Sequence, residues 1–294
     1  MTPIDVDNAK VVLRALKAET RKRDRNRAVT DFRRGIENKR KAVHLLSSIK
    51  TPFTPASISI DAPFMIWALR TTTKDVEGTN IIQDSHIEKG NSWAKIRSEA
   101  KADDSRFWVQ DDLNFYFLWE NFTGQDAVVN VSSYLMLNGG VTVGAMPGWG
   151  WTLGFPISTS RATLNAELSL LEWWNNPPTE PVREPGQERF IVQFSKEGQS
   201  VFRGIWGGLQ LVDEPQPVSG NYHVNYDMFY VPADGTVVFE VGLRLLYDGF
   251  DGYAGAGDPD PFEIVCPFLL LDVLTTAQSD LTSLGTTPTS ASDP

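Results

Sequence analysis

The stretch that decides the fold is Phe115–Leu137, which reads FYFLWENFTGQDAVVNVSSYLML. After the turn signal NFTGQD, polar residues such as Asn130 and Ser132 alternate with apolar residues such as Val129 and Val131. A period of two residues is typical of a β-strand that buries one face. Two strand-like runs around a short glycine-containing turn predict a β-hairpin over Phe115–Leu137.

The same pattern extends in both directions along the chain. A second hairpin is predicted over Tyr222–Tyr247, across the turn PADG, and about nine strand-like runs follow Ser57. Little helical periodicity interrupts them, so we predict a mainly β protein, an antiparallel two-sheet sandwich or jelly roll. The proline-rich segment Asn175–Gln187 is unsuited to a central strand and is predicted to be an extended surface crossing.

Residues 1–50 differ from the rest in both period and charge. They hold 14 Lys and Arg against 6 Asp and Glu, a charge of +8; the totals of 27 and 37 then leave 13 and 31, or −18, for the remainder. Pairs such as Glu37 and Lys41 at i,i+4 favour a helix in this basic part. We therefore predict a basic helical arm (1–50), a β body (55–277) and a disordered Ser/Thr/Pro-rich tail (278–294).

A near-heptad apolar stripe runs along the predicted arm helix and is interrupted by Lys39. Its members are Val29, Phe32, Ile36, Val43 and Leu46. Such a stripe needs a partner, either the β body or another copy of the chain. Together with the opposite charges of arm and body, it favours a non-enzymatic binding or structural module that forms homo-oligomers, the arm of one copy docking on the body of another.

A dense cluster of cations in the arm, RKRDRNR, suggests a second function. Five basic residues in seven positions match the density expected of a segment that neutralises phosphates. They are Arg21, Lys22, Arg23, Arg25 and Arg27. A basic arm before a jelly roll also resembles the layout of many small icosahedral virus coat proteins, and this resemblance implies nucleic-acid packaging as an alternative.

Residues 127–160 contain no charged residue and no histidine, which leaves two further alternatives open. If 127–160 is a hairpin, its alternating faces suit a membrane-active protein that inserts this hairpin. Aromatic residues on a Gly- and Pro-rich tip also suit stacking on a glycan, as in a lectin-like module, or contact with another partner. The predicted surface consists of Trp149, Trp151, Phe155 and Trp174.

Residues for enzymatic chemistry are scarce, and we predict that the protein is not an enzyme and needs no cofactor. No phosphate-binding glycine loop, HExxH, CxxC or GxSxG motif occurs. The acidic segment DGFDGYAGAGDPDP is the best cation candidate, as a glycine-rich loop offering hard oxygen ligands to Ca²⁺. Its aspartates are Asp248, Asp251, Asp258 and Asp260.

The remaining features concern compartment and cysteine chemistry. The N-terminal residues carry acids and lack a continuous apolar run, so a cytoplasmic protein, or export without a recognisable signal peptide, is expected. The single cysteine, Cys266, allows no intrachain disulfide and is predicted to be a buried apolar residue.

Overall fold

A computed structural model describes residues 10, 25–48, 56–72, 76–77, 81–145, 158–173, 182–197, 211–212 and 215–275. Helix α1 spans Arg25–Ser48 and precedes all the strands. The strands are β1 (Ala56–Ile60), β2 (Met65–Thr72), β3 (Val76–Glu77), β4 (Ile82–His86), β5 (Ser92–Ile96), β6 (Ser98–Glu120), β7 (Ala127–Ala145), β8 (Thr159–Trp173), β9 (Val182–Glu197), β10 (Leu211–Val212), β11 (Gln216–Val231), β12 (Thr236–Ala256), β13 (Phe262–Cys266) and β14 (Leu269–Thr275).

The predicted fold class is confirmed: the protein is mainly β and antiparallel, and helix α1 precedes the strands. One layer has the order β3-β2-β6-β12-β8-β9. In the other layer β7 is central, with β11 on one edge and β14, followed by β13, on the opposite edge. The two layers are continuous because β12 passes from one to the other at a bulge between Phe250 and Gly252, after which it pairs with β7.

The two predicted hairpins are wrong, although their strands and turns exist. Strand β6 pairs with β2 and β12, and β7 pairs with β11, so the segment at 121–126 carries the chain from one layer to the other. The turn between β11 and β12 does the same. The two connections meet, since the Asn121 N–H donates to the Gly235 carbonyl and the Asp234 N–H donates to the Asn121 carbonyl.

A large core fills the space between the layers, and a second, small apolar cluster forms around Tyr116, Leu171 and Val238. The large core is built from alternate residues of the strands, such as Val129, Val131 and Leu135 of β7, all of which are buried. The polar residues between them lie on the other face of β7. The uncharged segment 127–160 is therefore not a hairpin, because β7 is paired along both edges and β8 belongs to the other layer.

Strand β9 pairs with β8 and, on its other side, faces β11 through side chains. The Gln187 amide oxygen accepts a hydrogen bond from the Asn225 N–H at 2.9 Å, and the Arg189 guanidinium donates to the His223 carbonyl at 3.2 Å. The prediction of a crossing over the whole of Asn175–Gln187 needs correction, because residues 182–187 belong to β9. The strand accommodates Pro185 with a shift in register there.

Candidate functional site

The C-terminal half of α1 is anchored on the β body by a buried polar contact. The Asn38 side-chain amide donates to Glu184 Oε1 at 2.9 Å, and the Tyr226 hydroxyl donates to Glu184 Oε2 at 2.9 Å. Glu184 is 1% exposed and belongs to β9, whereas Tyr226 belongs to β11. We call Asn38, Glu184 and Tyr226 the anchor. It joins the helix to both strands at the point where they face each other.

Two lysines of α1 reinforce the anchor by cation–π contacts. Lys39 Nζ lies 5.4 Å from the ring centroid of Tyr226, and Lys41 Nζ lies 5.6 Å from that of Tyr230. The Tyr230 hydroxyl donates to Asp126 at 2.7 Å, and burial together with this carboxylate raises the pKa of Tyr230. The predicted i,i+4 pair is also confirmed, with Lys41 Nζ 3.6 Å from a carboxylate oxygen of Glu37.

The helix face that meets the body is small and polar, and the stripe residues Ile36 and Val43 lie away from it, whereas Leu46 is half-buried. Asn38 and Ala42 are buried, whereas Ile36 is 40% exposed and Val43 is 55% exposed. At 100° per residue, the line through Ile36 and Val43 lies about 130° around the helix from the line through Asn38 and Ala42. The body therefore leaves this part of the stripe uncovered. The side chains of Val29 and Phe32 fall outside the described residues.

A row of charged side chains crosses the outer face of the other layer, which we call the carboxylate row. Arg244 of β12 contacts Asp112 of β6 at 2.9 Å, Glu188 of β9 at 3.2 Å, and Glu167 of β8. Burial lowers the pKa of Arg244, but the carboxylates of Glu167 and Asp112 outweigh it and raise that pKa above its ordinary value. The Asn165 side-chain amide donates to Glu188 at 2.7 Å. Among the described residues, one guanidinium thus faces three carboxylates.

A second charged group lies inside the core. The Arg70 guanidinium makes a bidentate contact with Asp111, at 2.8 and 2.7 Å, and the Ser98 hydroxyl also donates to this carboxylate. Asp111 is fully buried, and its hydrogen bonds raise the pKa of Arg70. Burial also raises the pKa of Tyr247, which lies nearby. The Arg70 guanidinium and the Ser98 hydroxyl together compensate the buried charge of Asp111.

Most of the predicted site residues cannot be placed. Trp149, Trp151, Phe155 and Trp174 lie outside the described residues, as do Arg21, Lys22 and Arg23. Arg25 and Arg27 begin α1, and their side chains are likewise outside the description.

The predicted calcium loop is largely a strand. Asp248 and Asp251 belong to β12, with Asp251 at the bulge where its φ is +47°, whereas Asp258 and Asp260 follow in the next turn. Asp248 lies 4.0 Å from Arg161 Nε. In the described part of the chain no group of three or more His, Cys, Asp or Glu is placed to hold a metal ion.

Sequence reasoning missed the anchor and the carboxylate row. Glu184 lies in a proline-rich segment that reads as a loop, and the row joins residues from four strands far apart in sequence. Phe190 of β9 is an exposed aromatic residue. The sequence contained a local signal for its exposure, because Phe190 directly follows the charged residues Glu188 and Arg189 in the run ERFIVQFSKE. The prediction for Cys266 is confirmed: it is fully buried, and burial raises its pKa to about 12.

Comparison with known proteins assigns no family. No family model matches the chain, and no curated protein matches it. Among the solved structures that show weak similarity are a carbohydrate-binding module, a hydrolase and a virus. The carbohydrate-binding module TmCBM61, in complex with β-1,4-galactotriose, is 10% identical over 69% of this chain and 86% of its own, with a TM-score of 0.17. A CocE/NonD family hydrolase from Staphylococcus aureus is 10% identical over 73% of this chain and 42% of its own, with a TM-score of 0.23.

The third structure is that of the Gx strain of infectious bursal disease virus. It is 9% identical over 64% of this chain and 41% of its own, with a TM-score of 0.15. The chain thus spans less than half the length of the hydrolase and of the viral chain. No helix in the described ranges is long and apolar enough to cross a membrane. At these TM-scores the comparisons assign the chain neither a family nor an activity, and its antiparallel β architecture is given by its own strand pairing.

Proposed function

We propose that the protein is a non-enzymatic structural module that self-associates through its N-terminal helix. In this proposal the helix has two roles on two faces. One face is held on its own β body by the anchor, and the other presents the apolar stripe to a second copy. The acidic remainder of the chain, at −18 against +8 for residues 1–50, attracts the basic arm of that copy.

The observation that carries the proposal is the exposure of Ile36 and Val43 on an anchored helix. Fully burying an aliphatic side chain of this size contributes about 1.5–3 kcal/mol. The two side chains are about half exposed, so covering the remainder would contribute about 1.5–3 kcal/mol in total. That is too little for tight binding alone, and it suits a contact repeated many times in an assembly.

The test is the particle mass of the purified full-length chain and of two matched double variants. Ile36→Ser with Val43→Ser removes the exposed part of the stripe, whereas His44→Ser with Ser48→Ala changes two exposed residues on another face of the helix. We expect an oligomer for the wild type and the control, and a monomer for the stripe variant. A stripe variant with unchanged mass refutes the proposal.

The particle mass after nuclease treatment and two binding assays separate the alternatives. A particle that loses mass and absorbance at 260 nm after nuclease treatment would favour nucleic-acid packaging by the arm. Binding of the monomer to liposomes or to a glycan array would favour the membrane-active or lectin-like alternatives. Each of these results is independent of the stripe variant.

A further inference from the structure

Phe190 is an exposed apolar side chain of the body, as Ile36 and Val43 are exposed apolar side chains of the arm. Phe190 of β9 is 61% exposed, the largest exposed fraction among the large apolar side chains of the described residues. It lies opposite Asn165 of β8, whose neighbours Leu164 and Ala166 point into the core. Because directly opposite residues share a face of a sheet, Phe190 lies on the outer face.

The surroundings of Phe190 carry the opposite charge to the arm. Asn165 joins it to the carboxylate row, where the Glu188 side chain is 47% exposed. On the arm, Arg40 is exposed beside the line through Ile36 and Val43. An apolar side chain next to a carboxylate on the body thus matches apolar side chains next to a guanidinium on the arm.

The part of α1 that carries Ile36 and Val43 cannot reach the Phe190 of its own chain while the anchor is in place. The anchor holds α1 at Glu184, which lies opposite the core residue Leu170 and so faces inward. Phe190 is six residues further along β9, about 20 Å at 3.3 Å per residue. It points to the other side of the sheet because the register shifts between Pro185 and Glu188, so that Glu184 and Phe190 lie opposite residues of β8 that are an odd number apart. Contact of Ile36 and Val43 with Phe190 therefore has to join two copies.

We infer that the surface which receives the stripe of one copy is the outer face around Phe190 and Glu188 of the next copy. This inference rests on the proposed self-association and adds its receptor. The stripe and the receptor are different surfaces, so each copy uses both. Contacts of this kind are head-to-tail, and they produce rings when the rotation closes and open chains when it does not.

The experiment measures self-association of full-length variants over a range of concentrations, with thermal melts to check folding. Phe190→Ser should raise the dissociation constant by about tenfold or more, because it removes a central apolar contact. Ile87→Ser is the matched control, since Ile87 is 45% exposed but lies beyond β4, away from this face. We expect the control to associate like the wild type.

A charge exchange tests the orientation. Arg40→Glu and Glu188→Lys should each weaken association by about two- to fivefold, and the double variant should regain it. Failure of the double variant to regain association overturns the pairing. If Phe190→Ser associates like the wild type while the stripe variant is monomeric, the receptor is wrong and the proposed function stands. If the wild type is monomeric at all concentrations, both fail.

Discussion

The anchor makes a quantitative prediction through Glu184. This carboxylate accepts hydrogen bonds from Asn38 and Tyr226, both at 2.9 Å, and is almost completely buried. Hydrogen bonds to a charged group contribute about 1.5–3 kcal/mol each. Removing the carboxylate also removes the cost of burying it, so we expect Glu184→Ala to lower the free energy of unfolding by about 2–4 kcal/mol. For a domain of this size, that lowers Tm by about 4–16 °C.

The matched variant is Glu184→Gln, which keeps an acceptor for Asn38 and offers an amide to the Tyr226 oxygen. We expect it to lose less than half as much stability as Glu184→Ala. Hydrogen exchange of peptides covering 35–48 is the second assay, because loss of the anchor should release the helix before the strands unfold. Unchanged Tm and unchanged exchange of 35–48 in Glu184→Ala would refute the anchor.

Three further predictions concern the body. A Cβ at Gly242 would overlap the Leu113 carbonyl oxygen, which is a backbone atom, so Gly242→Ala should lower the free energy of unfolding by about 1–3 kcal/mol. A Cβ at Gly35 in α1 would meet its nearest neighbour, Glu184 Oε1, at 3.5 Å, so Gly35→Ala should raise the free energy of unfolding by up to about 1 kcal/mol in the same melts; the opposite order contradicts the packing. Cys266 should react with a thiol reagent at pH 8 only after denaturation, since burial raises its pKa to about 12; fast labelling of the native protein contradicts this. Calcium should leave Tm unchanged relative to chelator, and a rise in Tm would restore the acidic segment as a site.

The existence of the strands could be predicted from the sequence, and their partners could not. Alternation over Phe115–Leu137 reports that each strand buries one face, which is a local property. Pairing depends on which strand edges are already occupied. Both edges of β6 are taken by β2 and β12, so the turn at 121–126 leads to the other layer although it contains ordinary hairpin residues.

In the acidic segment, glycine residues led the sequence pattern to indicate turns where the structure has a strand. Its glycines read as turn signals, whereas Gly249 and Gly252 lie in β12, where they allow close approach to other backbone. A Cβ at Gly249 would lie 2.2 Å from the Thr159 carbonyl oxygen. Close packing of two backbones and a tight turn both require glycine, and the sequence pattern does not distinguish them.

The arm shows how a correct pattern can leave its partner undetermined. The heptad spacing of Ile36 and Val43 predicts a helix with an apolar stripe, for which body and second copy were equal candidates. In the structure, the helix packs on the body through a different face, which contains Asn38 and Ala42. A buried polar contact fixes register more strictly than an apolar one, because sliding the helix by one turn would remove the Asn38 donor from Glu184 and leave only Tyr226. The anchor thereby holds the stripe in one orientation, which a repeated head-to-tail contact requires.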